Sequence, residues 1–276
     1  MVYQRSPMAH ATTSRRAAPA PGTTLDRAIE AFVRGFCFTR SFTHPYVAER
    51  VGPAWVMRDA PRRRSEDRRR EEWVAHSIEP AELDAIVRQN ARPPFAVCAL
   101  YALDQPDGPA RAGFKSLGYR LGGAEPMMVH ALRRIPRHEP PAGIVVERVR
   151  TQEVADRLAR AAGARQILPE HLTDDDGAPL RQYVALADGG EPVGWVRSIA
   201  AGDGATWCSN MFVQPAHRRR GVGRAMLARM LRDDRAAGAK WAVLLASHTG
   251  AMLYPVVGYE QVGTLLVYTP NRRKPA

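Results

Sequence analysis

Lysine is almost absent from this chain. Of its 40 basic residues only Lys115, Lys240 and Lys274 are lysine, and the other 37 are arginine. A formal net charge of +12 built this way, beside frequent alanine, reflects a GC-rich coding sequence more readily than a nucleic-acid groove. Charge alone therefore assigns no nucleic-acid role. Cysteine is scarce as well. Cys37, Cys98 and Cys208 are odd in number and far apart, which excludes a disulfide framework and a cysteine metal site and points to a reducing cytoplasm. The histidines His44, His76, His130 and His138 lack ligand spacing, and no metal is expected. No apolar run is long enough for a membrane span. Segment 1–24 has no apolar signal-peptide core and reads as a flexible tail.

What is present is a globular composition, 45% hydrophobic over 276 residues, enough for two modest domains or one large one. Segment 137–143, with two prolines and a glycine, reads as a linker. It separates a module at 25–136 from a second at 144–270, with 271–276 a short tail. The second module has a clear pattern. Strands are predicted at 144–149, 183–187, 193–200, 206–213, 241–246 and 263–268. Helices are predicted after Thr151, over 221–237 and, as a short one, over 249–257. The first module echoes this order. Phe95-Ala-Val-Cys-Ala-Leu100 answers Trp241-Ala-Val-Leu-Leu-Ala246. Lys115-Ser-Leu-Gly-Tyr119 answers Pro255-Val-Val-Gly-Tyr259, and Met127-Met-Val-His130 answers Leu265-Leu-Val-Tyr268. A tandem duplication with a decayed first copy accounts for the echo.

The densest chemical signal is Val213-Gln-Pro-Ala-His-Arg-Arg-Arg-Gly-Val-Gly-Arg-Ala225. A strand enters it, Pro215 stops the strand, and a helix leaves it. The spacing Arg218-x-x-Gly221-x-Gly223 can present the backbone N–H groups of Arg219 to Arg224 to a pyrophosphate at the positive end of that helix. No Gly-Lys-Ser/Thr follows, so this is not a nucleotide-triphosphate loop. The third glycine of the dinucleotide fingerprint is also missing, and hairpins precede the loop instead of a parallel unit.

On these residues the chain resembles the GNAT superfamily of acyl-CoA-dependent N-acetyltransferases, whose Arg/Gln-x-x-Gly-x-Gly/Ala loop grips the coenzyme A pyrophosphate. A second signature of that family, Asn-x-x-Ala-x-x-Leu-Tyr-x-x-x-Gly-Phe, maps onto Ser247, Gly250, Leu253, Tyr254, Gly258 and Tyr259. Serine and glycine replace its asparagine and alanine. The resemblance covers about the last 130 residues. It implies an α/β fold with a mixed sheet, the acyl-CoA N-acyltransferase fold, as a C-terminal module plus a degenerate N-terminal one. It implies acetyl-CoA as acyl donor. Met211, Phe212 and Val213 would hold the donor along a strand that splays from its neighbour. Arg218, Arg219, Arg220, Gly221, Val222, Gly223 and Arg224 would hold it at the loop, and Ser247 at the pantetheine arm. It implies transfer by direct attack of an amine, a backbone N–H near Met211 polarising the thioester and Tyr254 as general acid.

Other residues read more plainly. The run 207–211 carries no carboxylate, so the general base is open between His248, a water relay and an acceptor oriented by Ser209 and Asn210. Cys208 reads as a buried strand thiol. Trp195 and Trp207 read as sheet packing with an acceptor pocket as the alternative, and 174–176 as a turn. Arg62 to Arg64 and Arg68 to Arg70, among Glu66, Asp67, Glu71 and Glu72, read as a salt-bridged face. The expected partner is a small-molecule or peptide amine, with a second copy of the chain also open, and no membrane is expected. The alternatives are a non-catalytic acyl-CoA sensor and an RNA- or ribosome-associated acetyltransferase.

Overall fold

Glycines and prolines punctuate the sequence where the chain reverses in the computed structural model, which describes residues 24–61, 68–247 and 250–271. The first half runs α1 (Thr24–Arg40), β1 (Tyr46–Val51), β2 (Ala54–Asp59), β3 (Glu71–His76), α2 (Pro80–Asn90), β4 (Phe95–Ala102), α3 (Gly108–Ser116) and β5 (Tyr119–His130). The second runs β6 (Ile144–Arg148), α4 (Gln152–Ala162), β7 (Leu180–Ala187), β8 (Pro192–Gly202), β9 (Ala205–Val213), α5 (Val222–Ala236), β10 (Trp241–Leu245) and β11 (Glu260–Pro270). Thr151 caps α4 by accepting from the Val154 N–H, and Gly163 ends the helix in the left-handed region.

Among the described residues all these strands join one sheet, in the order β1-β2-β3-β4-β11-β5-β10-β9-β8-β7-β6. The halves exchange their last strands. β11 lies between β4 and β5 of the first half, and β5 lies between β10 and β11 of the second. The internal echo falls on equivalent places. β3 pairs parallel with β4 as β9 does with β10, while the neighbouring hairpins are antiparallel. Gly118 and Gly258 both take positive φ before the buried Tyr119 and Tyr259.

Two layers flank the sheet. α1 carries an apolar stripe through Ala28, Ile29, Phe32, Val33 and Cys37 and lies across β8, β9 and β10 of the other half. Its contact is close because Gly35 faces Trp207. A Cβ at Gly35 would sit 2.3 Å from the indole, and the Phe32 ring lies 5.3 Å from the same indole. On the opposite face α5 packs Val222, Met226, Leu227 and Met230 against β-strand side chains of the second half.

A buried carboxylate fixes α5 to three strands. Asp234, 0% exposed, accepts from Arg181 of β7 at 2.6 Å, Ser198 of β8 at 2.7 Å and Thr206 of β9 at 3.0 Å. The charge is tolerable in the core because a guanidinium and two hydroxyls satisfy it.

Two sequence expectations change. The 249–257 helix is instead two short 3-10 turns, Gly250–Met252 and Tyr254–Val257. Pro255 has no N–H with which to carry a helix through. The last strand begins at Glu260, ahead of 263, because a bulge between Gln261 and Gly263 interrupts its register. In the basic run, Arg69 pairs with Asp59 at 2.5 Å, while Arg62 to Arg64, Glu66 and Asp67 lie outside the described residues, as do 1–23 and 272–276. Asp234→Ala is expected to cost about 3–5 kcal/mol of stability by leaving Arg181 buried and unpaired. The double change Arg181→Met with Asp234→Leu is expected to cost far less. Denaturant unfolding of the two variants measures the difference.

Candidate active site

The site begins with an extra residue in β9. Trp195 of β8 stands opposite Phe212, and Arg197 opposite Ser209. Two steps on β8 therefore match three on β9. The surplus is a bulge at Asn210, which adopts φ +53°. Bulges bend a strand and raise its local twist. β9 accordingly leaves its parallel neighbour: pairing with β10 ends at Trp207 opposite Val243, although β9 continues to Val213. Residues 208–213 thus run along an opening between the two strands. The equivalent strands of the first half do not part, since β3 pairs with β4 from Glu71 to His76.

The arginine and glycine loop lies at the far end of this opening. Arg219 and Gly221 take φ +62° and +95°, which turns the chain into α5 with Gly221 as its N-cap. A Cβ at Gly221 would meet nothing nearer than an Arg224 nitrogen at 3.6 Å, so that face of the backbone is open to a ligand. Arg218, Arg219, Arg220 and Arg224 are exposed, and no acidic residue occupies the first turn of α5. A helix N-terminus so arranged favours an anion. Arg218 is partly engaged already. Its Nε donates to the Val213 carbonyl at 2.8 Å, and its guanidinium covers the Phe212 ring, which stacks on Trp195 at 4.6 Å.

Gly223 joins the loop to the other motif. A Cβ there would lie 3.0 Å from Met211 Cε and 3.2 Å from Leu253 Cδ2, so β9, α5 and the turn before Tyr254 meet at a residue with no side chain. Tyr254 is 7% exposed, edge-on to Tyr259 at 5.7 Å. Burial, with Cys208 adding to it, pushes its phenol well above the usual value, so it remains a proton donor at neutral pH. Ser247 accepts from the Gly250 N–H at 3.2 Å, and a Cβ at Gly250 would lie 3.0 Å from both the Ser247 hydroxyl and the Tyr254 ring. The glycine that replaces the alanine of the resembled motif is thus matched to the packing of its own neighbours.

The remaining candidates fall away from this chemistry. Cys208 is 3% exposed and burial pushes its thiol far up, so it is no nucleophile. His130 is buried, accepting from the Leu132 N–H and facing the Val257 carbonyl. Trp207 packs under α1. Asp174 and Asp176 pair with Arg150 and Arg148, tying a turn to β6. His248 lies outside the described residues. Sequence reasoning missed Arg197 and Gln166, both buried and hydrogen-bonded to each other beside Asn210. The available signal was an arginine inside the otherwise apolar run Val193-Gly-Trp-Val-Arg-Ser-Ile199.

Known proteins are similar to this chain in part of its sequence and in fold. Residues 179–261 match the family model for the acetyltransferase (GNAT) domain. A solved GCN5-related N-acetyltransferase from Kribbella flavida is 19% identical, with a TM-score of 0.63 over 89% of this chain and 96% of that one. One from Sphaerobacter thermophilus is 17% identical, with a TM-score of 0.55 over 81% and 78%. A tandem GNAT protein from the clavulanic acid biosynthesis pathway is 16% identical, with a TM-score of 0.52 over 91% and 97%. No curated protein matches the sequence. These likenesses show the acyl-CoA N-acyltransferase fold. Residues 179–261 are thus similar to a GNAT domain, and the whole chain is similar in fold to a tandem GNAT protein.

Proposed function

We propose that the protein is an acetyl-CoA-dependent N-acetyltransferase with one donor site, in its second half. The observation that carries this reading is the run of features along a single opening: the bulge at Asn210, the parting of β9 from β10, the anion-favouring start of α5, and Tyr254. Arg219 to Arg224 hold the pyrophosphate, with Gly221 giving it access to the backbone. Met211 to Val213 align the pantetheine arm as an added strand, beside Ser247. The thioester supplies an activated acetyl group. A backbone N–H near Met211 polarises its carbonyl, an amine attacks directly, and Tyr254 returns a proton to the departing thiolate. A water relay takes the proton from the amine.

The first half has no second donor site on this account. β3 and β4 stay paired, and α2 begins with Glu79 and Pro80 where α5 has Gly221. A carboxylate at that position repels phosphate. The cytoplasm is its compartment. Among the described residues no helix is long and apolar enough to cross a membrane. The absence of a carboxylate from β9 favours one second reading, a non-catalytic acyl-CoA sensor. Thiol release from acetyl-CoA over a broad amine panel decides between them, and tight binding with no release selects the sensor.

Gly221→Glu is expected to weaken acetyl-CoA binding at least about tenfold, or 1.4 kcal/mol, because it sets a side chain and a negative charge in the phosphate cradle. Calorimetric titration measures this, and unchanged affinity refutes the loop assignment. Tyr254→Phe is expected to lower kcat about 100-fold with little change in acetyl-CoA affinity. The sign of the Tyr254 shift adds a pH criterion. A phenol held above its ordinary value stays protonated through the alkaline range, so kcat is expected to show no descending limb from Tyr254 between about pH 8 and 10. A fall there that vanishes in Tyr254→Phe contradicts the raised value of the phenol, while assigning the titration to Tyr254.

A further inference from the structure

Three arginines are almost wholly buried: Arg148, Arg181 and Arg197. Arg148 has Asp176 and Arg181 has Asp234 as ion-pair partners. Arg197, 7% exposed, has no carboxylate partner among the described residues. Its Nη2 donates to the Gln166 amide oxygen at 2.6 Å, and its guanidinium lies 5.7 Å from the Phe42 ring centre. Its Nε has no partner. Burial alone draws its pKa down, to about 10, so it is still charged at neutral pH. A buried, unpaired charge is among the most costly features a fold can keep.

The surroundings point the same way. Ser209 stands directly across the ladder from Arg197, on the same face of the sheet, and its buried Oγ also lacks a partner. The Gln166 oxygen is already taken by Arg197 and Asn210, and its amide N–H₂ by the Ala164 carbonyl, so Gln166 orients the guanidinium without neutralising it. Phe42 and His171 wall this face, 5.9 Å apart between ring centres. His171 Nδ1 is a third buried atom without a partner. The cluster is adjacent to the bulge. Ser209 is two residues from Met211, with the bulge at Asn210 between them.

We propose that Arg197, with Ser209, binds a carboxylate on the acceptor, so that the amine to be acetylated belongs to an amino acid or a similar amino carboxylate. This rests on the donor-site reading above. A single buried guanidinium is balanced by a single negative charge, which favours a carboxylate over a phosphate dianion. The anion anchors the acceptor beside the bulge and lets its amine reach the opening between β9 and β10. Phe42, which follows α1, makes the first half a contributor to the acceptor wall of the second.

The test compares α- and ω-amino acids with their carboxamides and with the simple amines of equal length. The wild-type protein is expected to use the acids with kcat/KM at least about 100-fold higher than the carboxamides. In Arg197→Met that ratio falls toward one, and Arg197→Lys restores part of it. A second readout is thermal. If Arg197 is kept for a ligand, Arg197→Met melts at the same temperature as the wild type or higher, and loses the stabilisation that the acids give the wild-type protein. Equal use of acids and carboxamides overturns the proposal, as does a large loss of stability in Arg197→Met or the absence of any thermal shift with the acids. Acetyl-CoA titration separates the two readings. Failure to bind acetyl-CoA removes the donor site, while the thermal shift with amino acids still decides the anion site.

Discussion

β5 and β11 lie side by side at the middle of the sheet, each flanked on its other side by a strand of the opposite half. Separating the halves would strip both faces of this pair and leave unpaired edges on β4 and β10 as well, with buried Met127, Leu265 and Leu266 brought into water. That pairing determines much else. It sets the second half beside the first, so α1 crosses β8 and β9 and Gly35 can close on Trp207. It also brings Phe42 against Arg197. The sheet of the second half is incomplete without the first.

The two halves differ where chemistry would require it. Both have a pair of parallel strands leading into a helix. In one, the bulge at Asn210 bends β9 away and positive φ at Arg219 and Gly221 turns the chain into α5. In the other the ladder is unbroken and the helix starts with Glu79 and Pro80. Asp234 holds α5 to β7, β8 and β9 through Arg181, Ser198 and Thr206. The start of α5 is therefore held through Asp234, near the other end of the same helix.

Local features were legible in the sequence. The helix cap at Thr151, the glycine turns at 189–190 and 202–204, and the strand–loop–helix order around Gly221 each depend on neighbouring residues, and each is found. The repeat was legible because Gly118-Tyr119 and Gly258-Tyr259 answer the same backbone requirement twice. Nonlocal features were not. Nothing near β5 or β11 announces that each lies among the other half's strands. The bulge hides because Asn210 differs from its neighbours only in φ. Arg197 hides because a strand's alternation does not say which of its polar residues lacks a partner. The 3-10 turns around Tyr254 replace a helix for a reason that was visible, Pro255, against an apolar pattern that argued the other way.

The central claim is that one half of a tandem fold binds the donor and the other supports it. Amide hydrogen exchange with and without acetyl-CoA tests this most directly. The account predicts added protection across 208–224 and around Tyr254, with none at 76–82 where the first half turns into α2. Protection at 76–82 as well, or none across 208–224, contradicts it.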